Sequence, residues 1–179
     1  MFLRGELTIL HSLDTSHAKT LYEMAKESDA HKFTTPFWRP WGLADFEAFV
    51  GEGRAAERGR LRLGISVADD SSASVVGVIE LHNLDWLHGR AEIGITIWPS
   101  HARGKGYGPD AVRTLCRWGF NTLRLRRLYC KVFSSNVGAQ HTFEKVGFRQ
   151  EGTWRQHFFL QGHTEDAILY GILASELTD

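Results

Sequence analysis

The chain has 179 residues, 42% of them hydrophobic, which is enough for a real core in one domain and too many for a disordered segment. Lysine plus arginine and aspartate plus glutamate both total 21, so the formal charge is zero and the basic surplus of a nucleic-acid binder is missing. No apolar run approaches the ~20 residues of a membrane span, and the opening Met-Phe-Leu-Arg-Gly-Glu lacks the layout of a signal peptide. Cys116 and Cys130 read as reduced thiols. These features predict a cytoplasmic protein, one domain over residues 1–179, with neither nucleic acid nor membrane as partner.

In chain order, Leu7 to Leu13 is a short apolar strand. Asp14 or Thr15 caps a helix to about Ser28, with Ala18, Leu21, Tyr22 and Ala25 at helical spacing. Phe33 to Gly42 holds Pro36 and Pro40 and cannot be regular helix. Leu43 to Arg58 reads as a second helix, with Phe46, Phe49 and Val50 on one side. The period then changes to alternation: Leu61 to Val67, Val75 to Leu81 and Arg90 to Trp98 form an antiparallel meander, with a loop over His82 to Gly89. Pro109 to Leu123 is a third helix, burying Val112, Leu115, Cys116, Gly119, Phe120 and Leu123. Arg127 to Phe133 is a strand and Val137 to Val146 a helix capped by Gly147. Strands Arg149 to Leu160 and Thr164 to Leu173 close the chain. The fold class is therefore α/β in the α+β sense, with about six to seven strands in a mixed, mostly antiparallel sheet and about four flanking helices.

The stretch Arg103-Gly-Lys-Gly-Tyr-Gly108, between a strand and a helix, carries the chemistry. Gly104, Gly106 and Gly108 let backbone N–H groups approach a ligand, and the helix start adds unpaired N–H groups and a positive dipole end. Together they make a seat for a pyrophosphate, with Arg103 and Lys105 adding positive charge at its rim. Lys105 is followed by Gly106 rather than Ser or Thr, which excludes a P-loop. The glycine spacing and the antiparallel run before it argue against a dinucleotide fold.

Arg103-x-x-Gly106-x-Gly108 resembles the R/Q-x-x-G-x-G/A signature of GNAT acetyltransferases, and Asn136 to Phe148 (NVGAQHTFEKVGF) resembles their second conserved block. The opening LRGELTIL and closing GHTEDAILYGIL are similar to the RimJ/RimL and spermidine acetyltransferase branch. The resemblance implies acetyl-CoA as cosubstrate, no metal, and a pyrophosphate held by residues 103 to 108, Tyr107 among them. It implies that the pantetheine arm lies along Ile95, Thr96, Ile97 and Trp98, facing Tyr129 to Ser134. It places the amide that polarises the thioester carbonyl at Thr96, and a contact to the arm at Asn136.

Acetyl transfer needs the acceptor ammonium to lose a proton, which a carboxylate can take. Strand alternation puts Glu92, Gly94, Thr96 and Trp98 on one face and Ala91, Ile93, Ile95 and Ile97 on the apolar other, so Glu92 is the candidate base and Glu80 the second choice. Glu92 also matches the general-base position of related histone acetyltransferases. Its alternative role is an ion pair with Arg90 or Arg103. The tyrosine and serine that many members offer as acid are Phe143 and Ala139 here, so water can serve, with Tyr107 and Ser134 as neighbours to test.

Phe33, Phe37, Trp38 and Trp41 sit where this superfamily varies its acceptor loops, and they can wall a pocket or hold a cation. Glu47, Glu52 and Asp85 are acids that could attract a polyamine. The nine histidines show no metal-ligand spacing. The expected activity is acetyl transfer from acetyl-CoA to a primary amine by direct attack in a ternary complex. The acceptor is a small molecule or peptide: a protein N-terminus, a polyamine, an amino sugar or an amine antibiotic. The alternative is a non-catalytic acyl-CoA sensor. A monomer and a homodimer are both open.

Overall fold

A computed structural model describes residues 2–33, 40–52, 59–69, 74–160 and 162–178. Eight strands form one sheet: β1 (Phe2–Arg4), β2 (Thr8–Ser12), β3 (Leu61–Val67), β4 (Val75–Asp85), β5 (Arg90–Ile97), β6 (Arg127–Phe133), β7 (Arg149–Leu160) and β8 (His163–Leu173). Their spatial order is β1-β2-β3-β4-β5-β6-β8-β7. The helices are α1 (Thr15–Glu27), α2 (Leu43–Glu52), α3 (Tyr107–Asn121) and α4 (Val137–Val146). None of them is long and apolar enough to cross a membrane.

The expected count of six to seven strands is corrected to eight by β1. It is three residues long, too short to show a period, and pairs with β2 from Phe2↔His11 to Arg4↔Ile9. Strand β4 also runs past Leu81 to Asp85, through what the composition suggested was a loop. A register shift between His82 and Asp85, with Asn83 at φ 51°, keeps His82 opposite Glu92 and Asp85 opposite Arg90. The second helix ends at Glu52, and residues 53–58 of its expected span lie outside the described residues.

Helix starts follow local chemistry. The Asp14 carboxylate accepts from Ser16 N–H at 2.9 Å and starts α1. Asn136 Oδ1 accepts from Ala139 N–H at 3.1 Å and starts α4, which Gly147 ends in the left-handed region at φ 108°. Helix α3 begins two residues earlier than Pro109 suggested, because Gly106 at φ 87° serves as its cap.

The sheet is covered on both faces. Ala91 and Ile93 of β5 pack with Val112, Leu115 and Cys116 of α3 and with Phe143 and Val146 of α4. Val75, Val78 and Trp98 pack with Leu21 of α1 and with Phe46 and Phe49 of α2. Glu92, Gly94 and Thr96 therefore lie on the α1/α2 face, as alternation required.

Candidate active site

Among the described strands one pair is parallel, and its contact is short. Strands β5 and β6 pair only at Arg90↔Arg127, Ala91↔Leu128 and Glu92↔Tyr129. Beyond that rung β5 stays bonded to β4 and β6 to β8, so the two strands part. Which amides face the gap follows from the ladder. Trp98 N–H bonds to Val76 C=O on β4 at 3.2 Å, and Gly89 C=O accepts from Arg126 N–H and Arg127 N–H ahead of β6. Successive residues of a strand present their amides to opposite edges. Glu92, Gly94 and Thr96 thus face β4, while Ile95 and Ile97 face the gap with no strand partner among the described residues. The assignment of the polarising amide to Thr96 is corrected on this ground: its amide points to Val78, and Ile95 and Ile97 hold the available N–H groups.

At the end of β5 the chain enters the glycine turn. Gly104 (φ 73°) and Gly106 (φ 87°) both adopt left-handed backbone, where a side chain would be strained. A Cβ on Gly106 would sit 3.2 Å from Leu7 Cδ1. Leu7 is held there because the Asp110 carboxylate, in the first turn of α3, accepts from the N–H groups of Glu6 (2.9 Å), Leu7 (3.1 Å) and Thr8 (2.8 Å) and from the Thr8 hydroxyl (2.6 Å). The β1–β2 turn is thereby fastened to the helix start.

A cavity of about 600 Å³ opens over this turn, lined by Ile95, Thr96, Ile97, Arg103, Gly104, Gly106, Gly108 and Asn136 among others. Lys105 and Tyr107 do not line it: Lys105 is exposed, and Tyr107 packs on the α3/α4 core. Trp98 does not line it either, being buried between α1, α2 and the sheet. Its indole Nε1 is buried with no hydrogen-bond partner among the described residues. The Arg103 guanidinium lines this cavity but is engaged by protein groups. It turns back under the loop and donates to Ile97 C=O (3.0 Å), Trp98 C=O (2.6 Å), Ser28 Oγ (2.7 Å) and Asp29 (2.7 Å), tying the end of β5 to the end of α1. Besides Arg103, the basic residues that line the cavity are His141 and Lys145, beside Thr142. The sequence reading missed them, although their i, i+4 spacing on α4 beside Asn136 was a usable signal.

A second cavity, of about 360 Å³, lies on the α1/α2 side. It shares Phe33, Ile95, Thr96, Asn136 and Ala139 with the first, so the two meet at the splay. Glu92 lines it at 5% exposure. Its expected alternative partners are absent, since Arg90 pairs with Asp85 and Arg103 is engaged as above. Glu92 instead accepts from Asn83 Nδ2 (3.0 Å) and meets Lys131 Nζ (3.3 Å) and His82 Nε2 (4.0 Å). Those three residues went unnoticed in the sequence, because only the registers His82↔Glu92 and Glu92↔Tyr129 bring them together. Burial holds the His82 imidazole below its ordinary value, against the opposing pull of Glu80 and Glu92, so the ring is neutral at neutral pH. Gly94 leaves the room that His82 and Glu80 overhang, for a Cβ there would lie 3.5 Å from Glu80 Cγ and 3.8 Å from His82 Nε2. Glu80 accepts from Arg62 Nε (3.0 Å) and Arg62 Nη2 (2.7 Å), which makes it an ion-pair partner first.

Of the expected acceptor residues, Phe33 and Trp41 line this cavity, and Phe37 and Trp38 lie outside the described residues. Phe33 meets the Phe133 ring at 5.8 Å, and Phe158 stacks on Phe133 at 3.8 Å. Phe158 comes from β7, where a register shift between Trp154 and Phe158, with Gln156 at φ 51°, redirects the strand. Glu47 is exposed away from the cavity, and Asp85 is engaged with His88 and Arg90. Ser134 is exposed and lines neither cavity. Phe143 and Ala139 line the acceptor side and carry no hydroxyl.

Residues 8–149 match the family described as acetyltransferase (GNAT) domain. The spermidine N(1)-acetyltransferase of Vibrio cholerae serotype O1 is 32% identical over 110 residues, covering 62% of this chain and 63% of that protein. The fold is that of Mycobacterium smegmatis RimJ in complex with CoA-disulfide (TM-score 0.86, 20% identity, 100% of this chain and 88% of that one). It is equally that of Vibrio cholerae spermidine N-acetyltransferase in complex with CoA and spermine (TM-score 0.81, 22% identity, 95% and 97%). A splayed strand pair, a glycine turn opening a helix, and a family match over most of the length agree: this chain belongs to the GNAT acetyltransferase family.

Proposed function

We propose that the protein transfers acetyl from acetyl-CoA to a primary amine by direct attack in a ternary complex. The observation that carries this reading is the meeting of two cavities at the β5–β6 splay, one over an anion-binding turn and one beside a buried carboxylate. Acetyl-CoA supplies the activated acetyl group as a thioester. The amides of residues 104 to 108 and the α3 start hold its diphosphate, with Lys145 and His141 facing the same space. The amides of Ile95 and Ile97 hold the arm and polarise the carbonyl. The amine enters over Gly94. Its nitrogen bonds to the carbonyl carbon, the carbon–sulfur bond breaks, and the sulfur leaves as thiol with a proton from water.

Glu92 receives the amine's proton, directly or through water. A second reading gives that task to His82, whose neutral imidazole shares the cavity 4.0 Å from Glu92. The relatives named for spermidine make a polyamine one acceptor to test. Release of CoA thiol from acetyl-CoA, followed across a panel of amines with mass detection of product, tests the reading. Amine-dependent thiol release supports transfer. Tight CoA binding with no turnover on any amine would make the protein a sensor.

A further inference from the structure

Three carboxylates line the acceptor cavity among the described residues, and each faces a cation from another element. Glu80 is gripped by Arg62, whose side chain is 1% exposed. Glu92 meets Lys131 at 3.3 Å. Glu52, at the mouth, meets Arg60 at 3.8 Å. The other titratable groups on the lining are His82 and Cys130, and burial keeps both uncharged at neutral pH. The formal charge of the described lining is therefore zero.

Around these pairs the wall is aromatic: Phe33, Trp41, Phe49, Phe133 and Phe158. Ring faces can hold an ammonium, but that of Phe49 already carries a cation. The Arg62 guanidinium carbon lies 3.3 Å from the Phe49 ring centroid.

We infer that the acceptor is a monoamine with a compact apolar, preferably aromatic body, and that polyamines are poor acceptors; this rests on the acyl-transfer reading of the same site. A polyamine such as spermidine carries about three positive charges at neutral pH, because its amines titrate near ~10. Each charge stripped of water needs a counter-charge, and the described lining has none uncommitted. A monoamine gives up its one proton beside Glu92 and reacts uncharged, while its body meets ring faces.

The test titrates the protein–CoA complex calorimetrically with 2-phenylethylamine and with spermidine at one ionic strength, with turnover on acetyl-CoA measured in parallel. Expected is at least tenfold tighter binding of phenylethylamine. Expected too is that Arg60→Gln, which releases Glu52, narrows that preference at least threefold. Spermidine binding as tight as phenylethylamine, binding of neither amine, or an unchanged preference in Arg60→Gln overturns the inference. The two readings separate cleanly. Preferential phenylethylamine binding without acetylation supports the pocket chemistry and sinks the transferase, whereas preferred acetylation of spermidine supports the transferase and sinks the monoamine.

Discussion

The two halves of the cleft are made of different materials. The cofactor half is backbone: two glycines in left-handed conformation, a helix start, and two strand amides left over where β5 and β6 part. The acceptor half is side chain: a carboxylate from β5, an imidazole from β4, an ammonium from β6, a guanidinium from β3, and rings from α2, β6 and β7. A backbone site depends on a few positions where any Cβ is harmful, so it tolerates little change. A side-chain site is assembled by register and can be rewritten one residue at a time. The difference teaches where binding and specificity reside in this chain.

Substitutions can break that division of labour. The largest expected effect is at the turn. Gly106→Glu places a bulky anion where left-handed backbone and Leu7 leave no room, and CoA affinity falls at least about a hundredfold. Calorimetric titration with CoA checks this, and unchanged affinity would refute the pyrophosphate seat.

Next is Glu92→Gln, which lowers kcat/KM by about a hundredfold or more at neutral pH. CoA affinity stays intact, because Glu92 lies outside the cofactor cavity. Much of the loss returns at high pH, where the amine arrives already deprotonated. A pH–rate profile identical to the parent's would remove Glu92 from the mechanism and leave His82 as the base.

The smallest effect is thermal. Burial lowers the folded-state pKa of His82, so the folded chain takes up its proton later than the unfolded chain does. Its contribution to stability is complete above the unfolded value near ~6.5 and is lost as pH falls through and below that value. His82→Gln should therefore show a smaller drop in Tm between pH 7.5 and pH 5.5 than the parent, read by calorimetry. An equal drop would mean that the imidazole is not held neutral.

The same division explains what was legible beforehand. Glycine spacing, the proline at the start of α3 and the Asn136–Phe148 block are local signals, and the turn and both flanking helices followed from them. Glu92 was legible too, as an acid inside an otherwise apolar strand. Its partners were not. His82 lay in what composition marked as a loop, and Lys131 is brought in by a parallel rung between strands far apart in sequence. The partners of Arg103 were not legible either, because proximity to glycines says nothing of side-chain direction, which Ser28, Asp29 and two backbone carbonyls decide. The shift from Thr96 to Ile95 and Ile97 has the same origin: which edge an amide faces depends on the pairing of its neighbours.

The most direct test of the central claim is a crystal structure with acetyl-CoA bound. The account predicts the diphosphate within hydrogen-bond distance of the amides of residues 104 to 108 and the thioester carbonyl at the amide of Ile95 or Ile97. A diphosphate seated elsewhere, with the turn empty and the splay filled by solvent, would contradict it.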